Sequence, residues 1–134
     1  MFIKRLLQFN LIVSALTAIS FVGFTDTSLA LYGISSDSAL QTVTQYFGST
    51  HLAFALLIGL ALNLDDARFT RIIVISFFAG DLAGSVILLI AQLRGIMNST
   101  GWILVALSLI FMLGYGYGLL QKSASGDPPD RRRS

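Results

Sequence analysis

The stretch IIVISFFAGDLAGSVILLIAQL, residues 72–93, carries one charged side chain, Asp81, in an otherwise uncharged run. Its length decides the fold. A bilayer core needs about 20 apolar residues at ~1.5 Å each, and this run meets that need. In lipid every backbone N–H and C=O must be bonded within the protein, so such a run reads as a helix.

Three more runs of the same kind flank it, at about 6–24 (LLQFNLIVSALTAISFVGF), 46–64 and 102–120. Together they predict an all-α integral membrane four-helix bundle over residues 1–120, followed by a flexible basic tail, 121–134. Composition points the same way. The 134-residue chain is 54% hydrophobic and 12% charged, against about 25% charged in soluble domains, and its mean hydropathy is +0.76.

The first span admits a rival reading. MFIKRLLQ is basic, an apolar segment follows, and Ser28-Leu29-Ala30 has the small residues of a signal-peptidase site. The apolar segment is long for a signal peptide, and Thr25-Asp26-Thr27 suits a helix ending at the membrane surface. The expectation is therefore a retained span.

Lysine and arginine orient the set. Lys4 and Arg5 precede the first span, Arg68 and Arg71 lie between the second and third, and Lys122 and Arg131 to Arg133 follow the fourth. Arg94 alone falls on the other side. Both termini are expected in the cytoplasm, with the chain crossing the membrane four times. Asp65 and Asp66 sit near the start of the third span, where anions suit the helix dipole. Asn98 or Ser99 is expected to cap the fourth. In the long outer loop, 25–45, SLALYGI is apolar enough to lie at the interface.

Polar residues inside the spans fall into stripes. Asp81, Ser85, Leu88 and Gln92 share one face of the third helix, beside a small-residue ridge of Ser76, Gly80 and Gly84 that another backbone is expected to cover. Asn10, Ser14, Thr17 and Phe21 share a face of the first, and Gly48, His51, Ala55 and Gly59 a face of the second. An aspartate near the bilayer midplane costs roughly 2.5–3.5 kcal/mol on insertion scales, so it needs a partner, a proton or a use. The expected form is the neutral acid, donating to a hydroxyl or carbonyl. Ser14, Thr17 and Ser108 lie at similar depth, whereas His51 is offset by roughly 7 Å along the helix rise.

His51, the one histidine, is a candidate ligand for a haem iron or a pigment magnesium, with Gly48 and Ala55 leaving room for a flat ring. One histidine per chain excludes a bis-histidine haem within the chain. The absence of cysteine excludes thiol chemistry and quinone reductases of the CxxC type. LGYGYGLL, residues 113–120, looks like a potassium-channel filter, but a filter lies on a re-entrant loop and this stretch closes a continuous span. Gly114 and Gly118 read as a packing edge, and Tyr115, Tyr117 and Trp102 as the aromatic belt. Nothing in the spacing points to nucleotide binding, a metal site or nucleophilic catalysis. Basic residues at helix ends, without interleaved aromatics, do not point to nucleic acid.

ALYGISSDSALQTVTQYFGSTHLAFALLIGLALNLDD (30–66) and TGWILVALSLIFMLGYGYGLL (100–120) resemble a loose group of small bacterial four-helix membrane proteins, mostly of unassigned function. The resemblance implies fold and a bacterial membrane location, and it transfers no site residue. Small multidrug transporters are similar in size, but their essential carboxylate lies on the first helix, where this chain has Asn10 and hydroxyls. The expectation is a non-enzymatic structural or accessory subunit of a larger membrane complex, with an energy-transducing or photosynthetic assembly as a natural host. Its partners would be the bilayer and either other subunits or further copies of the chain. The alternative is a small oligomeric proton-coupled transporter or channel in which Asp81 titrates.

Overall fold

The computed structural model describes residues 2–64 and 66–124, with side chains to Gln121. Five helices follow in order: α1 (Phe2–Gly23), α2 (Thr25–Leu31), α3 (Ser38–Leu64), α4 (Ala67–Leu93) and α5 (Gly101–Ala124). All but α2 are long and apolar enough to cross a membrane. Asp65, Arg131, Arg132, Arg133 and the rest of the expected tail from 125 onward lie outside the described residues.

Helix ends extend past the apolar runs because caps, not hydropathy, set them. α3 begins at Ser38 rather than Tyr46. Asp37 Oδ1 accepts from Leu40 N at 2.8 Å, which satisfies one of the orphan donors of the first turn. The polar turns SALQTVTQ then continue the helix before its apolar part begins. α4 starts at Ala67 rather than Ile72, because Asp66 Oδ1 accepts from Arg68 N at 2.7 Å and Phe69 N at 3.1 Å. Hydropathy passes over these turns because their side chains are polar and charged.

The stretch expected as the start of a loop is instead a bent continuation of α1. Phe24 leaves helical geometry (φ −133°, ψ 45°), and α2 resumes at Thr25. Two hydroxyls hold the bend by bonding back to α1: Thr25 Oγ1 donates to Phe21 O at 2.7 Å and Ser28 Oγ to Ser20 O at 3.0 Å. Asp26 then ties α2 to the start of α3 by accepting from Gln41 Nε2 at 2.7 Å and from Ser36 Oγ.

The long helices form two antiparallel pairs, α1 with α3 and α4 with α5, packed against each other. Buried positions recur at steps of three, four or seven residues, as in Leu7, Asn10, Ser14 and Ala18 on α1 and Thr44, Gly48, Ala55 and Ile58 on α3. That spacing keeps one seam on one side of a helix. At Gly48 the pair is closest: an added Cβ would lie 2.9 Å from Phe21 Cβ and 3.2 Å from its carbonyl carbon. Only glycine permits that approach.

Contacts at both ends join the pairs. Near the end bearing the N-terminus, Leu7, Ile58, Ile73, Val74, Phe111 and Tyr115 form one apolar core drawn from all four long helices. There Leu6 covers Gly114 and Ile3 covers Gly118. At the opposite end Asn98 bonds the α1–α2 side, its backbone N donating to Tyr32 O at 2.9 Å and its Nδ2 to Leu31 O at 3.0 Å. Gly33 takes a left-handed φ of +74° beneath that side chain. Its position would force any Cβ to within 3.0 Å of Asn98 Cβ.

Large apolar side chains such as Ile12, Leu16, Leu56, Ile72, Ile87 and Leu113 stay outward and exposed. A surface so apolar suits acyl chains and not water. The protein is a multi-pass membrane protein by length and apolarity of its helices.

Candidate intramembrane polar site

Asn10 on α1 and Tyr115 on α5 meet in the interior. Asn10 Nδ2 donates to the Tyr115 hydroxyl oxygen at 2.7 Å, and Ser14 Oγ donates to Asn10 Oδ1 at 3.0 Å. Tyr115 is fully buried, and Asn10 and Ser14 nearly so. Placing Tyr115 in the aromatic belt is therefore corrected. At about 100° per residue, positions 115 and 117 point to nearly opposite sides of a helix. Tyr117 is the outward one. It is 52% exposed, packs edge-on against Phe2 at 5.5 Å and accepts from Gln121 Nε2.

Asp81 and Ser85 stand one turn apart on α4. Asp81 is half-buried and Ser85 buried, and Asp81 Oδ2 and Ser85 Oγ are both sealed from the surface with no hydrogen-bond partner among the described residues. The expected hydroxyl partners are engaged elsewhere, Ser14 with Asn10 and Ser108 with Val105 O at 3.0 Å. Thr17 stays half-buried on the α1 stripe.

Gln92, further along the same α4 face, has a different task. Its Nε2 donates to Asn98 O at 3.1 Å, while its Oε1 is buried without a partner over Gly101, whose missing side chain makes room for it. Asn98 Oδ1 accepts from Thr100 N at 2.9 Å, a residue outside α5, so the side chain closes the turn before the helix rather than bonding an N–H of its first turn.

Aromatic rings connect the elements around this site. Phe21, Phe47, His51, Phe54, Phe77 and Tyr115 follow one another at centroid separations of 5.9, 4.4, 5.6, 5.4 and 5.9 Å. Most pairs are tilted or edge-on, the arrangements ring quadrupoles favour. The helical spacing of the rings within α3 was legible, but their meeting with Phe21, Phe77 and Tyr115 was not, since it joins residues far apart in sequence.

His51 is held inside this series. Its Nδ1 lies 3.1 Å from Phe47 O, and because a carbonyl can only accept, Nδ1 carries the proton and Nε2 the lone pair. The room expected at Gly48 is absent, since Phe21 and Val22 fill it. No hydrogen bond joins His51 to Asp81. Among the described residues no three His, Cys, Asp or Glu side chains come together to hold a metal.

The four glycines expected to pack divide evenly. Gly114 and Gly118 lie against α1, but a Cβ on Gly80 or Gly84 would meet nothing within 4 Å. With exposed Ser76, Ala79 and Ala83 they form an open small-residue face on α4. The ridge expected to be covered is thus uncovered among the described residues, because residue 80 is turned about 100° from half-buried position 81.

No protein-family model, curated protein or solved structure matches the chain.

Proposed function

We propose that the chain is a non-enzymatic structural or accessory subunit of a larger bacterial inner-membrane assembly, with both termini in the cytoplasm. One observation carries this reading: among the described residues, nothing lies against the glycines of the α4 face built from Ser76, Ala79, Gly80, Ala83 and Gly84. Membrane helices associate through such small-residue faces, which let backbones approach and gain dispersion contact. The lysine and arginine bias supports the orientation.

The test is extraction of the native membrane in mild detergent, followed by native gels and mass spectrometry of whatever migrates with the intact chain. Reproducible migration with a larger complex, lost on Gly80→Leu, supports the reading. Migration as a lone species opposes it.

A second reading, a small oligomeric proton-coupled transporter or channel, draws on the buried Asp81 carboxyl oxygen that no group among the described residues bonds. The two readings part on Asp81→Asn. A subunit would keep any flux of its host while changing in stability or assembly, whereas a transporter would lose coupling in an intact fold.

A further inference from the structure

The bend between α1 and α2 breaks the backbone ladder. Phe24 N donates to Ser20 O and Ser28 N to Phe24 O, each at 2.9 Å. Between those two bonds, none joins the N–H groups of Thr25, Asp26 and Thr27 to the carbonyls of Phe21, Val22 and Gly23 among the described residues. The Thr25 hydroxyl serves Phe21 O. Val22 O and Gly23 O stay open at the C-terminal end of a 22-residue helix, where aligned peptide dipoles place roughly half a negative charge. Cations suit such an end. Yet the last turn of α1 holds no basic residue, and the sequence has no lysine or arginine from position 6 to 67.

A pocket of about 280 Å³ lies at this break, with Val22, Gly23, Asp26, Thr27, Gln41 and Gln45 in its lining. Asp26 adds a full charge. Its bonds from Gln41 Nε2 and Ser36 Oγ both end on Oδ1, so Oδ2 is left to accept from a further donor. Gln41 turns its nitrogen to Asp26, which leaves its carbonyl oxygen as another acceptor. The N–H groups freed on the α2 side carry only partial charge, so the carboxylate sets the sign of the site.

Size and place choose among cations. One water needs ~10–15 Å³, so the pocket has room for a polyatomic group. A calcium ion takes about six to eight oxygens, and among the described residues no three His, Cys, Asp or Glu side chains come together. A primary ammonium asks for three acceptors, which Asp26 Oδ2 and the two open carbonyls match. Exposed Val22 and Phe24 continue the apolar surface of α1 beside the pocket, while the first turns of α3 are mostly polar. The pocket therefore sits where apolar surface gives way to polar turns, the level of lipid headgroups.

The geometry points to a binding site at the α1–α2 bend for the primary ammonium of a lipid headgroup, of the phosphatidylethanolamine class. Asp26 is the charged acceptor, Val22 O and Gly23 O complete the hydrogen bonds, and the side chains of Val22 and Phe24 meet the apolar part of the lipid. The site stands whether the protein is a subunit or a transporter.

Native mass spectrometry tests this on the full chain released from nanodiscs of equal parts phosphatidylethanolamine, phosphatidylcholine and phosphatidylglycerol. Phosphatidylcholine carries the same headgroup charges without N–H donors. Phosphatidylethanolamine should be retained roughly tenfold over it, the low end of what a hydrogen bond to a charged group contributes. Asp26→Asn still accepts from Gln41 and Ser36 and should abolish the preference. Asp37→Asn removes the same charge from the same connection, outside the pocket, and should keep it. Equal retention of the two lipids by the unaltered chain overturns the proposal, whatever becomes of the variants. So does a preference that survives Asp26→Asn or falls equally with Asp37→Asn. Displacement of the lipid by free ethanolamine would make the ligand a soluble amine, and displacement by Ca2+ at constant ionic strength a metal ion. Either result overturns the lipid assignment.

Discussion

Asn10 and Tyr115, 105 positions apart, are joined by a 2.7 Å hydrogen bond in the interior. The bond ties α1 to α5 and so links the two helix pairs. Polar bonds between membrane helices couple by about 0.6 kcal/mol on average and up to roughly 1.7. A double-mutant cycle of Asn10→Leu and Tyr115→Phe, read by reversible unfolding in detergent or bicelles, should return a coupling in that range. Tyr115→Phe keeps the ring contacts with Phe77 and Phe111, so the cycle isolates the hydroxyl. Additive losses would show that the bond links nothing.

Gly48 and Gly59 lie on one helix in opposite situations. A Cβ at Gly48 would crowd Phe21, including its backbone carbon, while one at Gly59 meets nothing within 4 Å. Gly48→Ala should destabilise by about 1–3 kcal/mol, the usual range for overpacking. Gly59→Ala should be neutral or gain up to ~1 kcal/mol of helix propensity. Thermal unfolding of both variants in one detergent checks the contrast. Equal effects would count against the close α1–α3 approach.

Gly80 and Gly118 separate outward from inward glycines. Gly118→Leu would drive a side chain into Ile3, with an expected cost of about 1–3 kcal/mol. A Cβ at Gly80 meets nothing within 4 Å among the described residues, so with Gly80→Leu the stability of the isolated protein should stay within about 0.5 kcal/mol. Unfolding of the purified variants gives the comparison. A large intrinsic loss at Gly80 would mean that the α4 face is covered from within the chain.

Asn98 fastens the end of the molecule opposite the N-terminus. Asn98→Ala removes the side-chain bonds to Leu31 O and from Thr100 N and keeps the backbone bond to Tyr32 O. Each lost bond is worth about 1 kcal/mol net. Hydrogen–deuterium exchange should rise in α2 and at residues 32–34 while the α1–α3 seam stays protected. Unchanged protection in α2 would assign the closure to packing of Leu29 and Met97, both buried at that end.

Much of the site was legible residue by residue. The i, i+4 spacing of Asp81 and Ser85, and of Asn10 and Ser14, placed each pair on one helical face, and the structure buries both serines. The partners were not legible. Asp81 was matched by depth to Ser14, Thr17 and Ser108, yet two of those hydroxyls bond within their own helices, to Asn10 and to Val105 O. A local acceptor three or four residues away is always within reach of a serine, and depth matching does not account for it.

What the sequence by itself determined is the set of four long apolar helices. That property is local, because a helix bonds its own backbone and a bilayer asks only for enough apolar residues in a row. What only the tertiary structure decided is which side of each helix faces inward. Gly80 and Gly84 turned out, Tyr115 turned in, and Gly48 closed against Phe21 where space for a ring had been expected. Each residue is turned by about 100° from the last. Which of those directions is interior depends on how neighbouring helices fit together, and a uniformly apolar segment carries little record of that choice.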